Sequence, residues 1–453
     1  MNAMADVKVM RTAAETALAQ EFAQARERLP GGAAIAEKRA AAFGLFAQEG
    51  LPHRRIEDWK YTDLRALMRD AKPLASPPDA AAKARAKTAG KLLGDVECRR
   101  LVFVDGAFVA ELSDTAALEA GLTVGSLADA LSGDDPALAE KLGKLAPASD
   151  VAVALNTALM GDGAVIRIGA GSTIERPLHL IFVASEKPAA SFVRSLVVVE
   201  KGARVMLIES HEGPDGSDYQ VNAAFELFVG DEAHVDHVKI IDEGSKALHV
   251  STLAAAIGAK ARFNAFTFTI GGAVVRNQLF LNFDGEDTVA GIRGATLING
   301  HQHADTTLVA NHIARNCQSR EVFKSVLDGE AHGVFQGRII VKPGAQQTDA
   351  KMMTRALLLS ERAEADNKPE LEIFADDVQC GHGATVGALD QELKFYLMAR
   401  GIPAAEAEAL LIQAFLGEAV EGIEHAGVRE ALMETIAVWL KARSPASAEV
   451  QHA

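Results

Sequence analysis

The sequence predicts a mainly β protein, a β-solenoid core carried between two helical ends. Three observations lead there. From Val151 onward short β-like runs follow one another (AVIRIG, HLIFVA, RSLVVVE, ARVMLIES, FELFVG, HVDHVKIID), separated by Gly, Asp, Asn and Pro turns. Gly202, Gly230, Gly258 and Gly285 open the similar phrases GARVMLIE, GDEAHVDHV, GAKARFNAF and GEDTVAGI, at separations of 28, 28 and 27 residues. Within these units a second turn falls near the middle, at Gly244, Gly271-Gly272 and Asn299-Gly300, giving strand–turn–strand–turn modules. A regular period without intervening helices marks stacked coils, each burying its inward face only against its neighbours. An antiparallel sandwich also spaces its strands at roughly 8–12 residues. The constant repeat favours the solenoid.

Three segments follow. Residues 1–150 read as a mostly helical domain: ETALAQEFAQARERL spaces its apolar positions at three and four before the glycines at 31–32 interrupt it. Pro77-Pro78 marks a loop, and RRLVFVDGAFVAEL reads as a hairpin near residues 100–110 around Asp105-Gly106, a favoured turn dipeptide. Residues 151–388 form the β core, which continues through GVFQGRIIVKPGAQQTDAKMMTRALLLS and ends near Gly387. Residues 389–453 return to helix: LDQELKFYLMAR is stopped by Gly401, and Pro403 starts a new helix at its first turn. ALLIQAFLGEAVEGI and VREALMETIAVWLKAR then present wide apolar faces.

The balance of 49% apolar and 24% charged residues is that of an ordinary globular chain. A net charge of −15 argues against binding nucleic acid or an anionic membrane surface, both of which need Lys and Arg in excess. The start, MNAMADVKVMRTAAET, lacks the pattern of a signal peptide, and no run of about 18 apolar residues occurs. Cys98, Cys317 and Cys380 are odd in number and form no CxxC pair, which suits a reducing compartment. The expected location is cytoplasmic.

Standard catalytic signatures are missing: no GxxxxGK[ST], HExxH or GxSxG, and no GxGxxG between a strand and a helix. Solenoids often act on polysaccharides, and paired carboxylates stand at Asp284/Glu286/Asp287 and Asp376/Asp377. Beside glycine such residues are ordinary turn chemistry. Aromatic platforms for sugars are also lacking, since Trp59 and Trp439 lie in the helical ends. A carbohydrate-active enzyme is therefore a weak reading. Among thirteen histidines, His234/His237, His301/His303 and His312 near Cys317 are closely spaced, and solvated outward positions account for them more simply than ligation. The stretch DDVQCGHGATVG differs. On a strand Cys380 and His382 share one face and the flanking glycines the other. Thiolate and imidazole together suit iron, zinc or an iron–sulfur cluster, although two donors make only part of a site. A buried structural cysteine beside an incidental histidine stays open as the alternative.

DGEAHGVFQGRIIVKPGAQQTDAKM, then CGHGATVG from Cys380, then FYLMARGIPAAEAEALLIQAFLGEAVE, resemble the SufB/SufD family of iron–sulfur cluster assembly proteins. EDWKYTDL at Glu57–Leu64 is similar to the family's N-terminal phrase, so the resemblance runs from about residue 50 to 440. It is closer to the SufD branch, because no cysteine lies between Cys317 and Cys380 where SufB carries its scaffold cysteine. Gly383 also stands where SufB has an acidic residue. The resemblance implies a right-handed parallel β-helix flanked by helical domains. It implies a heterodimer with SufB through the C-terminal end of that helix, with homodimers as an alternative pairing. SufC ATPases would dock on the C-terminal helices, and sulfur would arrive through SufE or SufU and SufS. No reaction would be catalysed by the chain alone and no cofactor held permanently. Iron or an iron–sulfur cluster would reside transiently at the interface with SufB. The family's motif places its cluster-building histidine at His382, with Cys380 as the adjacent cysteine, so these two are the expected metal- and cofactor-binding residues. A purely structural adaptor, stabilising SufB and recruiting SufC, is the competing reading.

Overall fold

Strands alternate between two sheets, and the computed structural model, which describes residues 11–133 and 136–443, shows one strand of each coil in each sheet. The ten-stranded sheet runs in the order β2 (Ala107–Phe108), β1 (Arg99–Val104), β5 (Leu178–Val183), β7 (Arg204–Glu212), β9 (His234–Asp242), β11 (Arg262–Thr269), β13 (Val289–Ile298), β15 (Gln318–Leu327), β17 (Asp349–Leu358) and β19 (Gln379–Ala388). The nine-stranded sheet runs β3 (Leu122–Ser126), β4 (Ala164–Ile168), β6 (Ala190–Val199), β8 (Gln220–Val229), β10 (Leu248–Ile257), β12 (Val274–Phe283), β14 (His303–His312), β16 (His332–Val341) and β18 (Glu364–Ile373). β1–β2 and β3–β4 are antiparallel; the coils themselves pair in parallel. This is a β-solenoid of about eight turns with helices at both ends.

The glycine repeat has a steric cause. A Cβ on Gly230 would lie 2.7 Å from the Lys201 backbone nitrogen, and one on Gly285 only 1.9 Å from that of Ala259. Successive turns stack backbone on backbone at these points, and only glycine leaves room. Two residues before the ten-stranded sheet's strands β7 to β17 the chain is left-handed each time, at Gly202, Glu232, Lys260, Asp287, Asn316 and Gln347. Those are the turns that redirect each coil.

Inward side chains such as Val235, Phe263, Leu281, Ile292 and Ile339 form one continuous core through the coils. Phe263, in the phrase GAKARFNAF, is completely buried there, as the repeat register requires. The outer faces are apolar where helices cover them, as at Leu248 and Val250 or Val238 and Phe268, and polar elsewhere, as at Arg276 and Arg338. Over the nine-stranded sheet lie α1 (Ala13–Ala25), α2 (Ala33–Glu49) and α7 (Val151–Leu159), with α1 and α7 packing on Phe192, Leu248 and Val250. The short helices α3 (Leu64–Leu67), α4 (Ala80–Ala86), α5 (Leu127–Ser132) and α6 (Pro136–Lys141) complete the N-terminal region. Over the ten-stranded sheet, α9 (Ala404–Val420) and α10 (Ala426–Arg443) place Ile412, Leu416, Leu432 and Ile436 on Val238, Phe268, Leu297 and Val326. α8 (Gln391–Met398) leads into them.

Two details differ from the sequence reading. Residues from Val151 first form α7, whose N-terminus is capped by the Asp150 carboxylate accepting from the Ala152 and Val153 amides. The hairpin around Asp105-Gly106 is present, but its strand β1 pairs with β5 and so extends the solenoid sheet. The EDWKYTDL stretch is a strap across the nine-stranded sheet. The Arg276 guanidinium lies 4.5 Å over the Trp59 ring and pairs with Asp305, while Asp58 and Glu57 reach Arg338 at 3.2 Å and Lys368 at 2.5 Å.

Candidate functional site

β18 and β19 end the two sheets, and among the described residues no further coil covers them. The two edges are unlike. β18 carries Glu364, Asp366, Lys368, Pro369, Glu370 and Glu372, charges and a proline of the kind that discourage pairing with another chain. β19, QCGHGATVGA, has no charge at all. Ile373, Phe374 and Val386 are left exposed at this end, Phe374 by 58%.

Cys380 and His382 share one face of β19, as strand alternation requires. Their register partners on β17 are Ala350 and Met352, both buried inward, so both side chains belong to the inward face of the last, open coil. Cys380 is half-buried against the core, and His382 is exposed. Burial pushes the Cys380 thiol up, and the nearby carboxylates Asp349 and Glu321 add to the shift. The thiol is thus protonated at neutral pH, and a metal is needed to draw out its thiolate.

The flanking glycines face away. A Cβ on Gly381 or Gly387 would meet nothing within 4 Å, whereas on Gly383 it would touch Met353. Close packing inside this chain therefore explains Gly383 alone.

Two coils below β19, β15 places Ser319 and Glu321 in the same inward columns as Cys380 and His382. Glu321 is fully buried, neither carboxylate oxygen has a well-placed hydrogen-bond partner, and burial raises its pKa to about 7. Sequence reasoning missed it, although the alternation Ser319, Glu321, Phe323 puts a carboxylate on an inward position. The other histidine pairs do not converge. His301 precedes β14 and is paired with Glu330 at 3.4 Å, while His303 bonds Thr62 at 2.9 Å. His312 bonds Ser319 at 3.1 Å, and the Cys317 thiol separately faces the Gly285 carbonyl at 3.3 Å. His234 and His237 split between the two faces of β9: His237 is buried 3.6 Å from Glu209, His234 lies near Asp236 and Glu424. The turn acids behave as such, with Asp287 left-handed between β12 and β13.

Comparison with known proteins agrees with this architecture. Residues 181–415 match the model of the SUF system FeS cluster assembly SufBD core domain, and residues 12–180 match that of the SufBD protein N-terminal region. An iron–sulfur cluster assembly SufBD family protein of Synechocystis is 33% identical over 417 residues, covering 89% of this chain and 90% of its own length. The iron–sulfur cluster assembly protein SufD of Escherichia coli is 30% identical over 85% of this chain and 89% of its own. SufD of Bacillus subtilis is 28% identical over 62% of this chain and 65% of its own. With the two family models together spanning residues 12–415, the chain belongs to the SufBD family of iron–sulfur cluster assembly proteins, alongside relatives named SufD.

Proposed function

We propose that this chain is a non-catalytic subunit of an iron–sulfur cluster assembly scaffold, pairing through its open coil with a SufB-type partner and aiding iron entry and nascent cluster assembly there. The observation that carries this reading is the open end of the solenoid. An uncharged strand edge, exposed apolar residues and an inward Cys380–His382 pair coincide at one place. Uncharged edges favour strand-to-strand association, and two donors are too few to hold iron or a cluster. A partner strand answers both needs, supplying the missing ladder and the remaining ligands.

The C-terminal helices support a second partner. Leu393, Phe395, Tyr396 and Met398 of α8 are all exposed, Phe395 by 72%. Such an apolar cluster suits docking of a SufC-type ATPase, and this chain has no phosphate-loop motif of its own. The free cysteines fit a reducing cytoplasm, and among the described residues no helix is long and apolar enough to cross a membrane.

The test is anaerobic co-purification with the SufB and SufC partners, reading iron and sulfide content for wild type and His382→Ala. A marked loss in an intact complex supports the shared site. Normal cluster content in that complex would leave only the structural adaptor.

A further inference from the structure

A second constellation of metal-binding chemistry lies several coils deeper, far from β19 in the sheet order. His211 on β7, His249 on β10 and Glu243 in the turn between β9 and β10 each offer a donor atom, and these atoms all lie within 4.8 Å of one another. All three are buried, at 1%, 0% and 5% exposure. The two rings sit 4.7 Å apart in an edge-on arrangement, and His211 is fixed by stacking on Phe182.

The hydrogen bonding prepares both imidazoles as ligands. His211 donates its Nε2–H to Glu209 Oε1 at 2.6 Å, and His249 donates its Nδ1–H to Glu243 Oε1 at 2.9 Å. Glu209 fixes the proton on His211 Nε2 and leaves a lone pair on its buried Nδ1, which has no hydrogen-bond partner, whereas the proton between His249 Nδ1 and Glu243 Oε1 joins two of the clustered donors and is the one a cation would displace. A histidine whose far N–H is held by a carboxylate is the usual arrangement of a metal-bound imidazole.

The local charge also favours a cation. Glu209 is paired with Lys239 at 3.0 Å, but Glu243 has no lysine or arginine; it accepts only from His249 and from the Tyr219 hydroxyl at 2.5 Å. Burial alone would raise the Glu243 carboxyl, and those donors outweigh it to hold the group below its ordinary value. On the outer face of the same strands, His179, Ser210, Glu212, Asp242 and Glu434 line a surface cavity of about 550 Å³ that is rich in carboxylates.

We propose that His211, His249 and Glu243 form an interior site for a divalent transition-metal cation of the zinc or ferrous kind, which takes the place of the proton shared by His249 Nδ1 and Glu243 Oε1. Two imidazoles and one carboxylate are the donor set that zinc and ferrous sites share, whereas calcium and magnesium prefer oxygen ligands throughout. The proposal is independent of the site at Cys380 and His382.

The experiment uses the full chain carrying Cys380→Ser and His382→Ala, stripped by a chelator and titrated with Zn²⁺ and with Co²⁺ as a spectroscopic probe. We expect one equivalent of tight binding, a Co²⁺ spectrum of nitrogen and oxygen ligation without thiolate charge transfer, and a Zn²⁺-dependent rise in the melting temperature. His249→Gln and His211→Asn should each weaken binding at least tenfold and remove most of that rise, while His301→Gln changes neither. The wild-type titration and spectrum stand by themselves should either buried variant fold poorly. No binding at micromolar Zn²⁺, a thiolate band in the Co²⁺ spectrum, or undiminished binding by folded His211→Asn and His249→Gln overturns the proposal.

Discussion

Glu321 and His382 stand in one inward-facing column of the ten-stranded sheet, with Met352 between them. Two strand spacings set their backbones roughly 9–10 Å apart. His382 is exposed at the open coil, whereas Glu321 is sealed beneath it without a well-placed partner for either oxygen. The interior next to the open end is therefore polar where most of the solenoid is apolar.

This placement makes a pH-dependent stability difference. Burial raises the Glu321 carboxyl to about 7, so the folded chain keeps a proton that the unfolded chain has already released above its ordinary carboxylate value. The contribution is fully present below about pH 4.5, is lost as pH rises toward 7, and then levels off. At pH 8 the buried charge costs about 3 kcal/mol at most. Glu321→Gln should melt higher than wild type at pH 8 and close to it at pH 5. Equal shifts at both pH values would show that the carboxyl titrates alike in the folded and unfolded chain, and so is not raised by burial.

The repeat made the solenoid readable, because stacked backbone turns demand glycine at fixed intervals, as at Gly230 and Gly285. Strand alternation likewise put Phe263 inside and Cys380 and His382 on one face. What sequence could not give is what depends on the third dimension. α7 reads as a buried apolar run, VAVALNTAL, and only the Asp150 cap marks it as helix. The His211–His249–Glu243 group joins residues from different coils, so no local spacing announces it. Phe395, Leu411, Phe415 and Leu416 are all simply apolar positions in the sequence of the C-terminal helices, and only the fold separates exposed Phe395 from half-buried Leu411 and Phe415 and from Leu416, completely buried on the sheet.

Phe263 tests the coil register. It is completely buried within the continuous inward core. Phe263→Ala should cost about 3–5 kcal/mol, as large-to-small core changes do. A loss below about 1 kcal/mol in chemical denaturation would contradict the inward packing.

The burial of Leu416 changes how a partner site on the C-terminal helices has to be tested. Truncation after Asp390 would bare the apolar face formed by Phe266, Phe268, Leu297 and Val326, so a clean, folded β-helix is not the expected product. Substituting the exposed α8 cluster is the cleaner route. Phe395→Ala with Tyr396→Ala should abolish SufC co-purification and leave stability within about 0.5 kcal/mol. Leu416→Ala should instead cost about 2–5 kcal/mol. Full SufC recovery by the α8 variant would move the docking surface elsewhere.

His382 and Cys380 differ in what each brings to a shared site. His382 is exposed at the open coil and in reach of a partner strand, whereas Cys380 is half-buried and its thiol is held protonated by burial and by neighbouring carboxylates. An imidazole with a free nitrogen ligates at once; a protonated thiol must first lose its proton to an arriving metal. His382→Ala should therefore lower cluster content of the co-purified complex sharply, and Cys380→Ala less so. Neither side chain supplies much of the apolar area exposed at that end, which comes from Ile373, Phe374 and Val386, so both variants should still co-purify with their partners. Cluster content lost with Cys380→Ala and retained with His382→Ala would reverse the ranking, and would mean that the partner's charges, absent from this chain alone, ionise the thiol before metal arrives.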